Sequence, residues 1–342
     1  MLDVPTTVHS ALPALRERAP AAALRQLVAL GADRLPFPGQ GATLARWRAL
    51  AAVGAQDLGL AKLFEGHTDA LAILHEAGMP QTPAGSLWGT WCAEPPDARV
   101  TLDAAVDGGY TVSGRKAWCS GARHVSHAVV SCWNGAGQAV LAAVDLRQPG
   151  VRVTDDGWHA VGMQGSESVD VHFDRVPATP LGDAGFYVRR AGFWHGGAGV
   201  AACWFGAATA LADALRERLS THADSQPDPH PDPHRLAQLG EVAVVLQASA
   251  ALLRETAAGI DRAPDADAMR AALSVRLNVE DAARITLDRM GRALGPGPLC
   301  KDAAMARRFA DLPVFIRQCH AERDQEAVGR LVASGTEAPW TL

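Results

Sequence analysis

The chain has 342 residues, 48% of them hydrophobic, enough to bury a large core and to build two or three structural units. Its formal net charge is −5 and its basic residues are dispersed, so it carries no electrostatic footprint for nucleic acid. No run of about 18 uninterrupted apolar residues marks a membrane span, and Met1 to Pro20 lacks the basic and apolar regions of a secretory signal, so a soluble cytoplasmic protein is expected. Six cysteines (Cys92, Cys119, Cys132, Cys203, Cys300 and Cys319) are scattered without a C-x-x-C pair. That suits free thiols in a reducing compartment, and no metal centre is expected.

Apolar residues recur at three- and four-residue spacing through the first 86 residues, which predicts a helical domain. Leu44–Leu63 reads as one helix with Thr43 as its N-cap, and His67–Ala77 as a second, stopped by Gly78 and Pro80. From Trp88 the texture changes. Val100–Ala105, Tyr110–Ser113, His127–Trp133, Gln138–Leu146, Val151–Thr154 and Glu167–Val176 are short runs with β-branched or aromatic content. Asp107-Gly108-Gly109 and Asn134-Gly135 punctuate them as hairpin turns. In the last run Val169, Val171 and Phe173 alternate with Asp170, His172 and Asp174, as in a half-buried strand. Residues 87–180 therefore read as an antiparallel β domain or barrel. After Pro180 the helical texture returns, with Ala191–Leu219, Leu236–Ile260 and Asp267–Leu294 as long helices and Ala303–Phe309 and Asp324–Ala333 as shorter ones. The stretch His222–His234 is too rich in proline to be helical and reads as a surface loop. The expected fold class is α+β: a helical domain (1–86), a central antiparallel β domain (87–180) and a C-terminal helical bundle (181–342).

Within the β region, Gly114-Arg115-Lys116-Ala117-Trp118-Cys119-Ser120-Gly121 resembles the G-x-K-x-W-x-[ST]-[NG] stretch of the acyl-CoA dehydrogenase superfamily. Further likenesses follow in chain order. Trp91-Cys92-Ala93-Glu94-Pro95 resembles the family strand ending in T-E-P, Gly162–Ser166 its G-x-[RQ]-[AG]-[ST] turn, and Val171–Pro177 its V-x-F-D-x-V segment. Downstream, Arg292-Ala293-Leu294-Gly295 resembles the stretch before the final helices.

The resemblance implies FAD, held by the β domain. Trp118 matches a position that packs against the flavin, and Ser120 one that donates a hydrogen bond near N5. On an extended strand, residues two apart point the same way, so the two side chains can serve one ligand. Trp91, Cys92 and Ala93 match the strand that meets the pyrimidine end, while Arg292 and Gly295 match a cofactor contact across a subunit interface. The resemblance also implies a homo-oligomer, a dimer or tetramer. Two departures stand out. Ala93 replaces a hydroxyl residue and the following Gly-Ser-Asp is missing. The Arg-x-x-Phe-Gly that commonly reaches the pyrophosphate is absent, with His222–His234 in its place.

The family base is a Glu near the start of the last helix. Here the stretch is Arg317-Gln318-Cys319-His320-Ala321-Glu322-Arg323-Asp324, and Glu322 is the nearest carboxylate. The first expectation is thus α,β-dehydrogenation of an acyl-CoA or related acyl thioester, with Glu322 removing the α-proton and a separate electron acceptor. The alternative is a flavin monooxygenase of the same superfamily that receives reduced flavin from a partner reductase, with His320 at the oxygen site and Asp324 beside it. A non-catalytic partner subunit is the third reading, motivated by the two departures.

Overall fold

The computed structural model describes residues 4–79, 81–106, 108–221, 232–336, 338 and 340. Asp107 of the first turn motif, and residues 222–231 of the proline-rich stretch, lie outside the described residues. The chain divides into two compact units, one from the chain up to Phe37 with Gly59–Phe193, the other from Pro38–Leu58 with the chain from Trp194 onward. The N-terminal helices therefore contribute to both units.

In chain order the helices are α1 (Val4–Ala11), α2 (Pro20–Ala29), α3 (Thr43–Gln56) and α4 (Leu58–Glu76). The strands follow: β1 (Trp88–Trp91), β2 (Val100–Ala104), β3 (Tyr110–Cys119), β4 (His127–Trp133), β5 (Ala139–Asp145), β6 (Val151–Val153) and β7 (Val169–Leu181). The chain continues through α5 (Phe186–Arg189), α6 (Gly192–Thr221), α7 (Pro233–Arg262), α8 (Met269–Leu294), α9 (Pro296–Lys301), α10 (Ala303–Phe315) and α11 (Glu322–Ser334).

The run expected as one helix from Leu44 to Leu63 is two, because Asp57 adopts extended backbone (φ −159°, ψ 129°). Thr43 is the first helical residue rather than the cap. Its hydroxyl accepts from Gly39 N (2.8 Å) and donates to Asp261 Oδ1 (2.6 Å), and Asp261 Oδ2 accepts the Thr43 N–H (3.0 Å). A carboxylate brought from α7 thus serves the free N–H groups of α3, a partner that local sequence cannot supply.

In the first unit the strands form one sheet in the order β1-β4-β2-β3-β7-β5, and β4 also pairs with β5, so five strands close into a ring. The β domain is mostly antiparallel, as expected, but β1–β4 and β2–β4 are parallel. The seam between β2 and β4 is thin, with a single paired position, Thr101 with Trp133. Side chains cover that seam. Lys116 on β3 donates from Nζ to Glu94 Oε1 (2.6 Å), Ser131 Oγ (2.7 Å) and Ser131 O (2.9 Å), and Trp133 Nε1 donates to the other Glu94 oxygen (2.8 Å). Gly114 explains its own motif position: at φ 123° a Cβ there would strike the Arg99 carbonyl. Asp170, expected to face solvent, is buried, because β6 covers β7 and Arg115 pairs with the carboxylate.

The ring packs on α4 through Ala70, Ile73 and Leu74 against Trp88, Val129, Leu141 and Leu181. His67, 1% exposed, accepts the Trp88 N–H at Nδ1 (3.1 Å). Its proton therefore sits on Nε2, facing Asp33 Oδ2 at 3.3 Å. In the second unit α3 and α6 cross in backbone contact. Gly54 lies against the Cys203 carbonyl and Gly206 against that of Ala51, so a side chain at either glycine would force the helices apart. Among the described residues two helices, α6 and α7, are long and apolar enough to cross a membrane by length and composition, which the sequence-based reading did not foresee. α6 is mostly buried in the protein and α7 is not.

Partial burial alone would push the Glu94 carboxyl up, but hydrogen bonds from Lys116, Ser131 and Trp133 and the Lys116 charge hold it below its ordinary 4.5. Its stabilising contribution is complete above that value and is lost as pH falls through the lowered native one. The Lys116 side chain is 2% exposed and that of Glu94 32%. Glu94→Gln, which leaves the ammonium where water cannot reach it, is therefore expected to lower stability by about 3 kcal/mol. Lys116→Met leaves a carboxylate that water can solvate and is expected to cost less. Urea titrations of the two variants at pH 7 check the order.

Candidate functional site

Trp118 and Ser120 do not alternate along a regular strand. Between Lys116 and Cys119 the β3–β7 register shifts by a bulge, and Trp118 sits within it in left-handed backbone (φ 57°). The strand ends at Cys119, and Ser120 N donates to Trp118 O at 3.0 Å, closing a tight turn over three residues. The bulge aims the indole outward, leaving Trp118 51% exposed. Ser120 is half-buried, and its hydroxyl meets the buried Ser168.

Behind Ser120 runs a chain of hydroxyls. Ser120 Oγ lies 2.8 Å from Ser168 Oγ, which lies 2.8 Å from Ser166 Oγ, which donates to Met163 O at 2.8 Å. Ser166 and Ser168 are 1% and 4% exposed. Met163 (φ 61°) and Glu167 (φ 41°) are themselves left-handed and flank the short 3-10 turn Gln164–Ser166 that presents these serines. Among the described residues, five non-glycine residues have positive φ: Trp118, Met163, Glu167, Arg175 and Ala321. Three border this hydroxyl chain. Backbone strain of order 1–3 kcal/mol each persists where the surrounding structure enforces it. Ser168 carried no signal in the sequence; Ser166 stood in a recognised motif, but its partner did not.

The neighbouring strand splits the residues grouped by sequence. Trp91, 1% exposed, donates from Nε1 to Ser120 O (3.1 Å) and so braces the turn. Cys92 turns to the opposite face of β1, where with Glu94, Ser131, Val140, Tyr187 and Phe193 it lines a cavity of about 300 Å³. Burial pushes the Cys92 thiol up to about 12 despite the opposing Lys116 charge, and burial also raises Tyr187, its hydrogen-bond partner. Beneath them Arg190 is buried, 2.9 Å from Glu76 and 3.6 Å from Asp69, with its guanidinium 5.3 Å from the Tyr187 ring centre. Ala93 is half-buried and offers only backbone polar groups.

In the second unit the stretch before α11 is a 3-10 turn (Ile316–Gln318), then Cys319, His320 and Ala321. Ala321 is left-handed (φ 45°). Asp324, 8% exposed, accepts the His320 N–H at 3.0 Å, and its other oxygen lies 3.5 Å from His320 Nδ1. Arg276 anchors the turn, donating to Gln318 O and to Gly197 O (2.7 Å), while Arg317 pairs with the buried Glu280. Burial raises the Cys319 thiol. Glu322 is exposed in the first turn of α11, where a carboxylate favours the helix dipole. The apolar surroundings expected for a catalytic carboxylate are absent from Glu322 in this chain. Arg292 is exposed and pairs with Asp288 one turn earlier (3.1 Å), and Gly295 (φ 67°) joins α8 to α9.

Cys92 and Cys132 have thiols pushed up to about 12 by burial, and Cys119 is raised well above its ordinary value. Cys300 is exposed. Brief iodoacetamide treatment of the folded protein at pH 8 is expected to alkylate Cys300 and spare those three, since the thiolate is the nucleophile. Peptide mass spectrometry reads the result.

Comparison with known proteins adds an independent line. Residues 97–176 match the family model for the acyl-CoA dehydrogenase middle domain. The chain is 40% identical over 92 residues to amino sugar nitrososynthase DnmZ of Streptomyces peucetius, and 33% identical over 89 residues to dibenzothiophene monooxygenase of Rhodococcus erythropolis. Each alignment covers 25% of this chain, but only 22% and 21% of the respective relative, about a fifth of its length. TdsC from Paenibacillus sp. A11-2, solved with FMN and indole, has a similar fold, with a TM-score of 0.80 at 20% identity over 98% of both chains.

Proposed function

On its acyl-CoA dehydrogenase-like fold, we propose that this chain is a flavin-dependent monooxygenase that takes reduced flavin from a separate reductase. One observation carries the choice over acyl-thioester dehydrogenation. Where a buried carboxylate base was expected, Glu322 and His320 both lie exposed, and of the two only His320 is engaged by the buried Asp324. The similarity to a dibenzothiophene monooxygenase supports the same reading. FMN suits the chain better than the FAD first expected. TdsC is solved with FMN, the pyrophosphate-reaching Arg motif is missing, and Arg292 is engaged by Asp288 on its own helix.

The residues present fit such a ring. Trp118 offers an exposed indole face held out by enforced backbone, an unusual outlay for a side chain with no ligand to cover. Ser120 follows two residues on, its backbone carbonyl braced by Trp91. A bound reduced flavin supplies two electrons to dioxygen, one oxygen atom passing to the substrate and the other leaving as water. His320, whose Nδ1 lies 3.5 Å from Asp324, would hold and transfer the proton that this requires. The strain retained around Ser120 favours a working site over a non-catalytic partner subunit.

With a flavin reductase, NADH, FMN and indole as the first substrate tried, oxygenated product is expected, and acyl-CoAs are expected to leave oxidised flavin unbleached under anaerobic mixing. His320→Ala should lower product formation about a hundredfold, Glu322→Gln should leave it nearly unchanged, and Trp118→Ala should weaken FMN binding. The reverse sensitivity of His320 and Glu322, with bleaching by an acyl-CoA, would return the assignment to a dehydrogenase.

We further propose a homo-oligomer assembled through α7. Val244, 68% exposed, shares a helix face with the exposed Ala248 and Ala251 at i, i+4 and i+7. This apolar stripe is bounded by Glu241 and Glu255, which pair with Arg289 and Arg262. A second copy covers such a face better than a lipid tail does, because the bounding carboxylates stay in water. Sedimentation at micromolar concentration is expected to show a dimer or tetramer, and Ala248→Glu to shift it toward monomer.

A further inference from the structure

We propose that the cavity between β5 and α5 binds a small uncharged molecule that is largely apolar and carries one hydrogen-bond acceptor. The cavity lies wholly within the first unit, and the inference neither uses nor needs the flavin site proposed above.

At about 300 Å³ the cavity has room for a one- or two-ring molecule, the lower end of the range for small-molecule sites. Its walls are mostly apolar. Ala139 and Val140 come from β5, Val188 from α5 and Phe193 from the start of α6. Val188 is 57% exposed and lies where the cavity opens to solvent. Tyr187 completes the wall and is held from two sides. Its ring stands edge-on to Phe193, with centres 5.2 Å apart at 82°, and the Arg190 guanidinium lies 5.3 Å from its centre. An apolar ligand therefore meets a preformed surface and pays little reordering cost on binding.

The cavity is poorly equipped to hold a charge. Among the described residues Glu94 is the one charged group in its lining, and no lysine or arginine lines it. Lys116 stands behind Glu94, but its side chain is 2% exposed and its Nζ is spent on Glu94 and Ser131. The buried Arg190 is neutralised by Glu76 at 2.9 Å and Asp69 at 3.6 Å. An anion therefore meets a carboxylate, with no free cation to offset it. A cation fares little better. Both Glu94 oxygens are already engaged, one by Lys116 and Ser131 and the other by Trp133, so an ammonium loses its water against apolar walls. Phosphate-bearing ligands such as an acyl-CoA or a nucleotide sugar are excluded from this cavity on the same ground.

The polar groups that remain decide what the ligand must offer. Ser131 gives its proton to Glu94 and accepts from Lys116 at 2.7 Å, so it has no donor to spare. Cys92 and Tyr187 are partners on the wall, and burial keeps both protonated at neutral pH. Two protons are present, and a hydrogen bond between the pair uses one of them. Whichever group donates, the other keeps a proton, and neither has a further side-chain partner among the described residues. That proton suits an acceptor on the ligand, a carbonyl oxygen or a ring nitrogen. A phenolic hydroxyl donates more strongly than a thiol, so Tyr187 is the anchor.

Four probes that share a phenyl ring separate these requirements: acetophenone (uncharged acceptor), ethylbenzene (no acceptor), benzoate (anion) and 1-phenylethylamine (cation). Their dissociation constants are measured on the full chain by isothermal titration calorimetry. The methyl resonances of Val140 and Val188 in valine-labelled protein locate the site. Acetophenone is expected to shift both valines, to bind about tenfold more tightly than either charged probe, and to bind severalfold more tightly than ethylbenzene. Tyr187→Phe is expected to remove the advantage over ethylbenzene while leaving the affinity for ethylbenzene itself unchanged. Cys92→Ala, which frees the Tyr187 hydroxyl, is expected to keep that advantage. If Tyr187→Phe does not fold, the comparison of the four probes on the wild-type protein decides. No binding of acetophenone, binding that leaves Val140 and Val188 unmoved, or a charged probe that binds as tightly overturns the inference. So does a folded Tyr187→Phe protein with its preference for acetophenone intact. None of these outcomes touches flavin binding at Trp118, which is measured separately.

Discussion

A single buried ammonium governs the β domain. Lys116 is almost fully excluded from water, and a charge in that position is tolerated only when it is neutralised and its donors are filled. Glu94 and Ser131 fill them, and they come from the segment after β1 and from β4. Satisfying one side chain thus ties three stretches of chain together at the place where the ring of strands is held by one paired position. Arg99 stacked on Trp133, 4.5 Å from its centre, reinforces the same corner. The lysine and the glutamate of two resembling motifs are thereby parts of one structural device.

That device has a consequence two residues along β3. With Lys116 pinned inward and Cys119 paired to Val169, the strand has one residue too many for its partner, and the bulge that absorbs it puts Trp118 in left-handed backbone. The exposed indole and the tight turn at Ser120 follow from where the lysine must sit. Met163 and Glu167 hold a second strained turn against the first, with the serines bridging them.

The second unit solves a similar problem with different parts. A close crossing of α3 and α6 at Gly54 and Gly206, and the Asp261 carboxylate on the start of α3, position the helices without long side chains between them. Arg276 then reaches across to the carbonyl of Gln318, and Asp324 caps the amide of His320, so the turn before α11 is held at both ends. Glu322, one residue into the helix, is left in solvent by the same geometry that draws Asp324 inward.

The sequence by itself determined the order helical, β, helical, the hairpin at Asn134-Gly135, the ends of β4 and the family of motifs around Trp118, because periodicity, turn chemistry and short motifs are properties of neighbouring residues. It also placed the titratable cluster at Cys319 to Asp324. The break at Asp57, the parallel pairings of β4 and the burial of Asp170 were decided elsewhere, each by a partner strand or helix distant in the chain. The same holds for the site. Local alternation put Trp118 and Ser120 on one face, and the resemblance grouped Cys92 with Trp91. The bulge, and the opposed faces of β1, rearranged both. That Ser120, Ser168 and Ser166 share one chain of hydroxyls was decided only by the tertiary structure, because nothing in the local sequence brings the three side chains together.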